Sequence, residues 1–186
     1  MRVATPRTRA CRRARAWLAS NLVRSAVLLI AGALLLAGSG HANLPSTVDR
    51  VVVFKSERKL VTVRKGRVVK TYRVALGQSP LGTKRCRGDN RTPEGEYHVT
   101  HRVPDSRYFL ALHLSYPSVE DVRLARNAGC DPGGAIEIHG LAPEFGWLGS
   151  RHLEKDWTNG CIAVTNDEMR ELYYRVPVGT PVEIYP

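Results

Sequence analysis

Two side chains in this 186-residue sequence have the types and settings that covalent chemistry needs. Cys161 lies in the run Trp157-Thr158-Asn159-Gly160-Cys161-Ile162-Ala163-Val164, and His139 ends the run Ile136-Glu137-Ile138-His139-Gly140 upstream of it. A thiol is a strong nucleophile once a neighbouring base takes its proton. Gly160 allows a tight turn whose backbone N–H groups reach a bound carbonyl oxygen, so Gly160, with Asn159 and Thr158 beside it, is expected to shape an oxyanion site around Cys161. Alternating Ile136 and Ile138 read as a buried strand, which presents His139 at a rigid strand end. Gly140 then leaves room for substrate and offers a carbonyl to orient the ring, or it is plain turn chemistry.

All six histidines precede Cys161, which excludes a layout with the base downstream of the thiol. His98, His101, His113 and His152 are the other candidates for the base; His152, among Arg151, Glu154 and Lys155, reads as part of a solvated loop. A structural cysteine and histidine without chemistry remain the alternative. Asp156 beside Lys155 reads as a solvated ion pair rather than as a group that orients an imidazole. Trp157 is either a core residue or a wall of the substrate cleft, and Lys84, Arg85 and Arg91 are either a charged surface loop or contacts to substrate carboxylates. Cys86, Cys130 and Cys161 lack paired ligand spacing, so neither a metal nor a cofactor is expected.

Residues 1–25 carry seven arginines and no acid, and Ala26 to Ala37 is an unbroken apolar run. Gly40-His41-Ala42 places small residues where a signal peptidase reads, and Asn43-Leu44-Pro45 interrupts any helix. The expected organisation is a signal peptide over 1–42, a linker over 43–50 and one catalytic domain over 51–186, located in the periplasm or cell envelope. An uncleaved anchor, and with it membrane attachment, is the alternative. Removing the seven arginines lowers the formal charge from +11 to +4, because 21 basic residues then face 17 acidic ones. A mild positive surplus suits work beside an acidic polymer. Nucleic acid is not an expected partner, since no basic helix or aromatic-basic alternation is present. Export permits disulfides. If Cys161 stays a free thiolate, Cys86 and Cys130 are the pair left to bond; two separate reduced thiols are the alternative.

The pattern is mainly β. A three-stranded meander is predicted over Val51–Lys55, Lys59–Arg64 and Val68–Leu76, followed by a long surface loop over 77–91 rich in Gly, Pro and charge. Further strands are predicted at 96–101, 109–115, 135–139, 161–164 and 182–185. One helix is well signalled, with Thr165 as N-cap and Glu168 completing a capping box, and its N-terminus either faces the thiol and lowers its pKa or only packs on the sheet.

On Ile138-His139-Gly140, on Thr158-Asn159-Gly160-Cys161-Ile162-Ala163-Val164 and on Asn166, the chain resembles the L,D-transpeptidase catalytic domain, or YkuD domain. Val74-Ala75-Leu76-Gly77, Gly88-Asp89, Thr92-Pro93-Glu94-Gly95 and Pro132-Gly133-Gly134 extend the resemblance over nearly all of the exported domain. It implies a two-sheet, β-sandwich-like fold with one or two helices, and a cysteine enzyme acting on peptidoglycan stem peptides through a Cys161 thioester, with His139 as base. The acyl acceptor is then an amine, from a neighbouring stem or a lipoprotein lysine. The chain departs from the family's commoner Ser-His-Gly-Cys form by Thr158 and Asn159, and Ala163 stands where an Arg is common. That departure leaves open hydrolysis at the diaminopimelate centre, by an amidase, and a non-catalytic wall-binding protein.

The basic stretch is long for a signal peptide. Translation from Val23 leaves a compact signal, so peptide mapping of the precursor is expected to find nothing from residues 7–15; a peptide covering them refutes this start.

Overall fold

The computed structural model describes residues 47–186; the expected signal peptide, its expected cleavage site and the expected start at Val23 lie outside the described residues. Packing begins before residue 51, because Val48 is buried and its N–H donates to the Arg175 carbonyl at 2.9 Å. The elements are β1 (Arg50–Phe54), β2 (Lys59–Arg64), β3 (Arg67–Arg73), β4 (Gly95–Ser106), β5 (Phe109–Leu114), helix α1 (Val119–Asn127), β6 (Glu137–His139), a 3-10 segment (Pro143–Glu154), β7 (Ile162–Ala163), helix α2 (Asn166–Arg175) and β8 (Pro181–Tyr185). The fold is mainly β, in the strand order β3-β2-β1-β8-β4-β5-β6-β7, with β1–β8 and β6–β7 parallel.

The twelve-residue β4 joins two half-sheets. Its first residues, Gly95 to His98, pair with β8, and its remainder from Val99 pairs with β5, with register shifts past Val99 and past Val103. A bulge or shift of this kind bends a strand, which lets one strand serve two sheets. The two ends of the order then meet, because Ala75, just past β3, pairs with Ala163 of β7 through hydrogen bonds of 3.0 and 2.8 Å. β1 and β2 bury consecutive residues, Val51 to Val53 and Leu60 to Thr62, as strands covered on both faces do. β3 is an outer strand with mostly exposed side chains.

α2 forms where its signals lie. The Thr165 side chain accepts the Glu168 N–H, and the Glu168 carboxylate accepts the Thr165 N–H at 3.0 Å. Met169 and Leu172 on its inner face are buried in the core with Leu112, Ile138 and Ile162. Each such side chain contributes about 1.5 to 3 kcal/mol by leaving water. Sequence reading missed α1, which has the same device at Ser118 and Asp121, and the 3-10 segment, whose two short pieces meet at Gly149.

The loop over 77–94 lies on the surface but is anchored by buried cations. Lys55, 2% exposed, donates to the Gly82 and Thr92 carbonyls and to Glu94 at 2.7 to 2.9 Å. Lys84, read as part of a charged surface loop, is buried and donates to Asp89 at 2.8 Å and to the Cys86 carbonyl. Asp89 also accepts the N–H groups of Arg85, Cys86 and Arg91. Burial opposes ionisation there, yet these amides and Lys84 hold the carboxyl down at about 2.

A disulfide joins Cys86 in this loop to Cys130 after α1, 44 residues on. Closing that loop constrains the unfolded chain by about 4 kcal/mol. The double variant Cys86→Ser/Cys130→Ser is expected to lose about that much stability in chemical denaturation. A midpoint equal to that of the native chain refutes the estimate.

Candidate active site

The parallel pairing of β6 with β7 sets the site. Ile138 lies opposite Ile162 and His139 opposite Ala163, and the Val164 N–H donates to the His139 carbonyl at 2.9 Å. Side chains two apart share a face of an extended chain, so Cys161, two residues before Ala163, falls on the side of His139. Both line one cavity of about 230 Å³ with Tyr108, Ala135, Trp157 and Asn159.

The turn that carries the thiol is clamped by a single hydroxyl. Buried Thr158 donates from Oγ1 to the Cys161 carbonyl at 2.7 Å and accepts the Gly160 N–H at 3.1 Å. Gly160 has φ +130°, and a Cβ there would stand 2.6 Å from the Arg91 carbonyl oxygen. Glycine is therefore demanded by backbone conformation and by close approach. The Gly160 amide, expected as an oxyanion donor, is occupied by Thr158. Thr158 and Gly160 shape the site from beneath, whereas Asn159 is exposed at its mouth.

The Cys161 thiol donates to the Ala135 carbonyl at a long 3.5 Å. Its sulfur reaches the cavity, but the protein packed around it pushes the thiol up to about 11; the Glu137 backbone amide and the charge of Lys84 pull the other way. The net shift is upward, opposite to the lowering that the N-terminus of α2 would cause if it faced the thiol.

His139 is 1% exposed. Its Nδ1 lies 2.7 Å from the Gly140 carbonyl oxygen, which can only accept, so Nδ1 carries the hydrogen and Nε2 keeps its lone pair. Tyr108 stacks on the ring at 4.5 Å between centroids, and Trp157 meets it edge-on at 5.7 Å. Burial pushes the imidazole down to about 4, against the Gly140 hydrogen bond. Gly140 is required by close approach: a Cβ would lie 2.3 Å from Asn166 Oδ1, which accepts the Leu141 N–H at 2.6 Å. The first residue of α2 thus fixes the chain just past the histidine.

A second cleft of about 330 Å³ shares Ala135, Asn159 and Cys161 with the first, with Lys84, Arg87 and Asn90 in its walls. The side chains of Arg85 and Arg91 line neither cleft; Arg85 is exposed, and both give their backbone N–H groups to Asp89. Arg87 and Lys84 are the basic residues that reach the cleft, and both are already paired, with Asp131 and Asp89.

Two readings of nearby residues are corrected. Asp156 does not pair with Lys155 or orient an imidazole: it binds Arg58 at 2.7 Å and the Leu76 N–H at 2.9 Å. His152 is not in a solvated loop but buried, and its Nδ1 accepts the Trp157 indole N–H at 3.3 Å. Trp157, read as core or as cleft wall, is half-buried and lines the cavity that holds Cys161 and His139. Tyr108 was missed altogether, since nothing in its local sequence brings it to His139. Among the described residues, no group of three or more His, Cys, Asp or Glu is placed to hold a metal ion.

Comparison with known proteins identifies the domain. The profile of the YkuD family, described as the L,D-transpeptidase catalytic domain, matches residues 48–184. YqjB of Bacillus subtilis (strain 168), provisionally named an L,D-transpeptidase, is 31% identical over 138 residues, 72% of this chain and 69% of that protein. YafK of Escherichia coli (strain K12), also provisionally named an L,D-transpeptidase, is 30% identical over 149 residues, 73% of this chain and 53% of that protein. The helical cell shape determining protein Pgp2 from Campylobacter jejuni superposes with a TM-score of 0.57 at 25% identity, covering 78% of this chain and 51% of that one. The chain therefore spans about half the length of YafK and of Pgp2. With the family profile matched across the whole of the described domain, the chain belongs to the L,D-transpeptidase catalytic domain (YkuD) family.

Proposed function

We propose that this chain is a cysteine L,D-transpeptidase that transfers acyl groups between peptidoglycan stem peptides, or from a stem to another amine such as a lipoprotein lysine. The observation that carries this reading is the meeting of Cys161 and His139 in one cavity, with His139 held as the Nδ1–H tautomer so that Nε2 is the nitrogen free to take a proton. Family membership and the names of YqjB and YafK support it. Its place of work is the cell envelope, which suits the leader-like N-terminus and a disulfide that persists in oxidising compartments.

The pKa shifts define the resting state. With the thiol near 11 and the imidazole near 4, both groups are neutral at physiological pH. Attack therefore couples to proton transfer. As Sγ bonds to the carbonyl carbon of the diaminopimelate residue, its proton passes to His139 Nε2. The tetrahedral oxyanion falls to the amide of Cys161 itself, since that of Gly160 serves Thr158. The bond to the terminal D-Ala nitrogen breaks, His139 returns the proton to the departing amine, and a thioester remains. An acceptor amine then attacks, gives its proton to His139, and expels the sulfur, which is reprotonated.

This neutral pair sets the pH dependence. His139 stays an acceptor until pH falls to about 4, so kcat/KM is expected to hold level from about pH 5 to 9 and to fall only on the acid side of that range. An acid limb centred near 6.5 contradicts the buried neutral imidazole.

Intact mass after exposure to a carbapenem tests the nucleophile. One covalent adduct is expected on the native chain and none on Cys161→Ala, and His139→Ala is expected to slow its formation by about 10² to 10⁴-fold. A native chain that stays unmodified, and that leaves muropeptides unchanged with and without an added amine, refutes the enzymatic reading. In the muropeptide assay product masses separate amine transfer from hydrolysis.

A further inference from the structure

A cavity of about 540 Å³ adjoins the catalytic one, sharing Tyr108 and Trp157 with it. The 3-10 segment Pro143–Glu154 builds most of it. Its floor is apolar, from Leu141, Phe145 and Leu148 together with the two shared aromatic rings. Five exposed charges ring it, three cationic (Arg107, Arg151, Lys155) and two anionic (Glu144, Glu154). None of the five is ion-paired among the described residues. Lys84 and Arg87, in the second cleft at Cys161, are both paired.

A second, independent observation lies in the wall. The Trp157 indole N–H can only donate, so His152 Nδ1 accepts and His152 Nε2 carries the hydrogen. That Nε2–H is buried and has no partner among the described residues. A buried donor without an acceptor is uncommon in folded proteins and marks a place where an acceptor is missing.

We propose that this groove binds the amine-side peptide of the acyl exchange: a short zwitterionic peptide carrying an amine together with free carboxylates. The inference rests on the acyl-transfer reading above. A chamber of about 230 Å³ holds the reacting atoms of one partner, and the second needs room beside it. The groove supplies it, at a size within the usual range for ligand sites. Arg107, Arg151 and Lys155 meet the carboxylates, the two glutamates meet ammonium groups, and the aromatic floor covers the apolar stem. The nucleophilic amine then enters past Tyr108 and Trp157. Its nitrogen bonds to the thioester carbon, the C–S bond breaks, and the proton moves through His139 to the sulfur. In the opposite direction the same groove holds the amine that leaves.

The test uses the full chain, a tetrapeptide stem as acyl donor, and a diaminopimelate-containing dipeptide as acceptor. Release of D-Ala reads acylation, and the acceptor concentration at half-maximal product reads the groove. Arg151→Glu/Lys155→Glu, and separately Arg107→Glu, are expected to raise that concentration about tenfold with the maximal rate within about twofold. The same acceptor with its carboxylates amidated is expected to show no such difference, and Arg123→Glu on α1, outside the groove, is expected to match the native chain. D-Ala release with unchanged acceptor dependence in both groove variants overturns the groove and leaves the acyl-transfer reading standing. No D-Ala release from the native chain overturns both.

Discussion

The site depends on a ladder only two residues long. β6 and β7 run parallel, and their register alone decides that Cys161 and His139 share a face. A slip of one residue would turn the thiol to the opposite side. So short a pair cannot hold its own register, and it is gripped from outside: by Ala75 on Ala163, by β5 on His139, and by Asn166 on Leu141. The segment after β3, β5 and α2 thus converge on three backbone positions. The same closure that completes the β fold fixes the placement of Cys161 and His139.

Around this ladder the protein separates two kinds of polar residue. Charged groups are placed where several hydrogen bonds meet them: Lys55 with three acceptors, Asp89 with four donors, Asp156 between Arg58 and the Leu76 amide. Burial of an ion is tolerable only when its hydrogen-bonding capacity is nearly filled. The reactive pair receives the opposite treatment. Cys161 and His139 are packed with few compensating bonds, and each is driven toward its neutral form. On the proposed acyl-transfer reading, a pair kept neutral reacts only when a substrate carbonyl arrives, and the thiol does not stand as a thiolate.

Much of this was legible because it is local. The α2 capping box, the alternating strand ending in His139 and the glycine before Cys161 each leave a mark within a few residues. What was not legible is set by distant partners. Asp156 looks tied to adjacent Lys155, yet its partner Arg58 is 98 residues away. His152 has charged neighbours, but in a helical turn adjacent side chains point in different directions, so Arg151 and Glu154 face water while His152 faces Trp157. Gly160 reads as a turn residue, and only the fold reveals the Arg91 carbonyl pressed against it. α1 was overlooked because Asp121 fills the place where Glu or Gln is the commoner capping partner.

β3 carries a further consequence. Among the described residues, its outer side bears backbone donors and acceptors with no strand beside them, flanked by exposed Val68 and Val69, a combination that invites recruitment of another copy by edge addition. Arg67 and Arg73 stand at its two ends with Lys70 at the centre. An antiparallel copy centred on Lys70 would set each arginine opposite an arginine, and a parallel in-register copy would set every cation opposite itself. Fibrillar stacking is thus opposed in either orientation by the strand's own charges, so the apolar rim can persist without becoming a seed for aggregation.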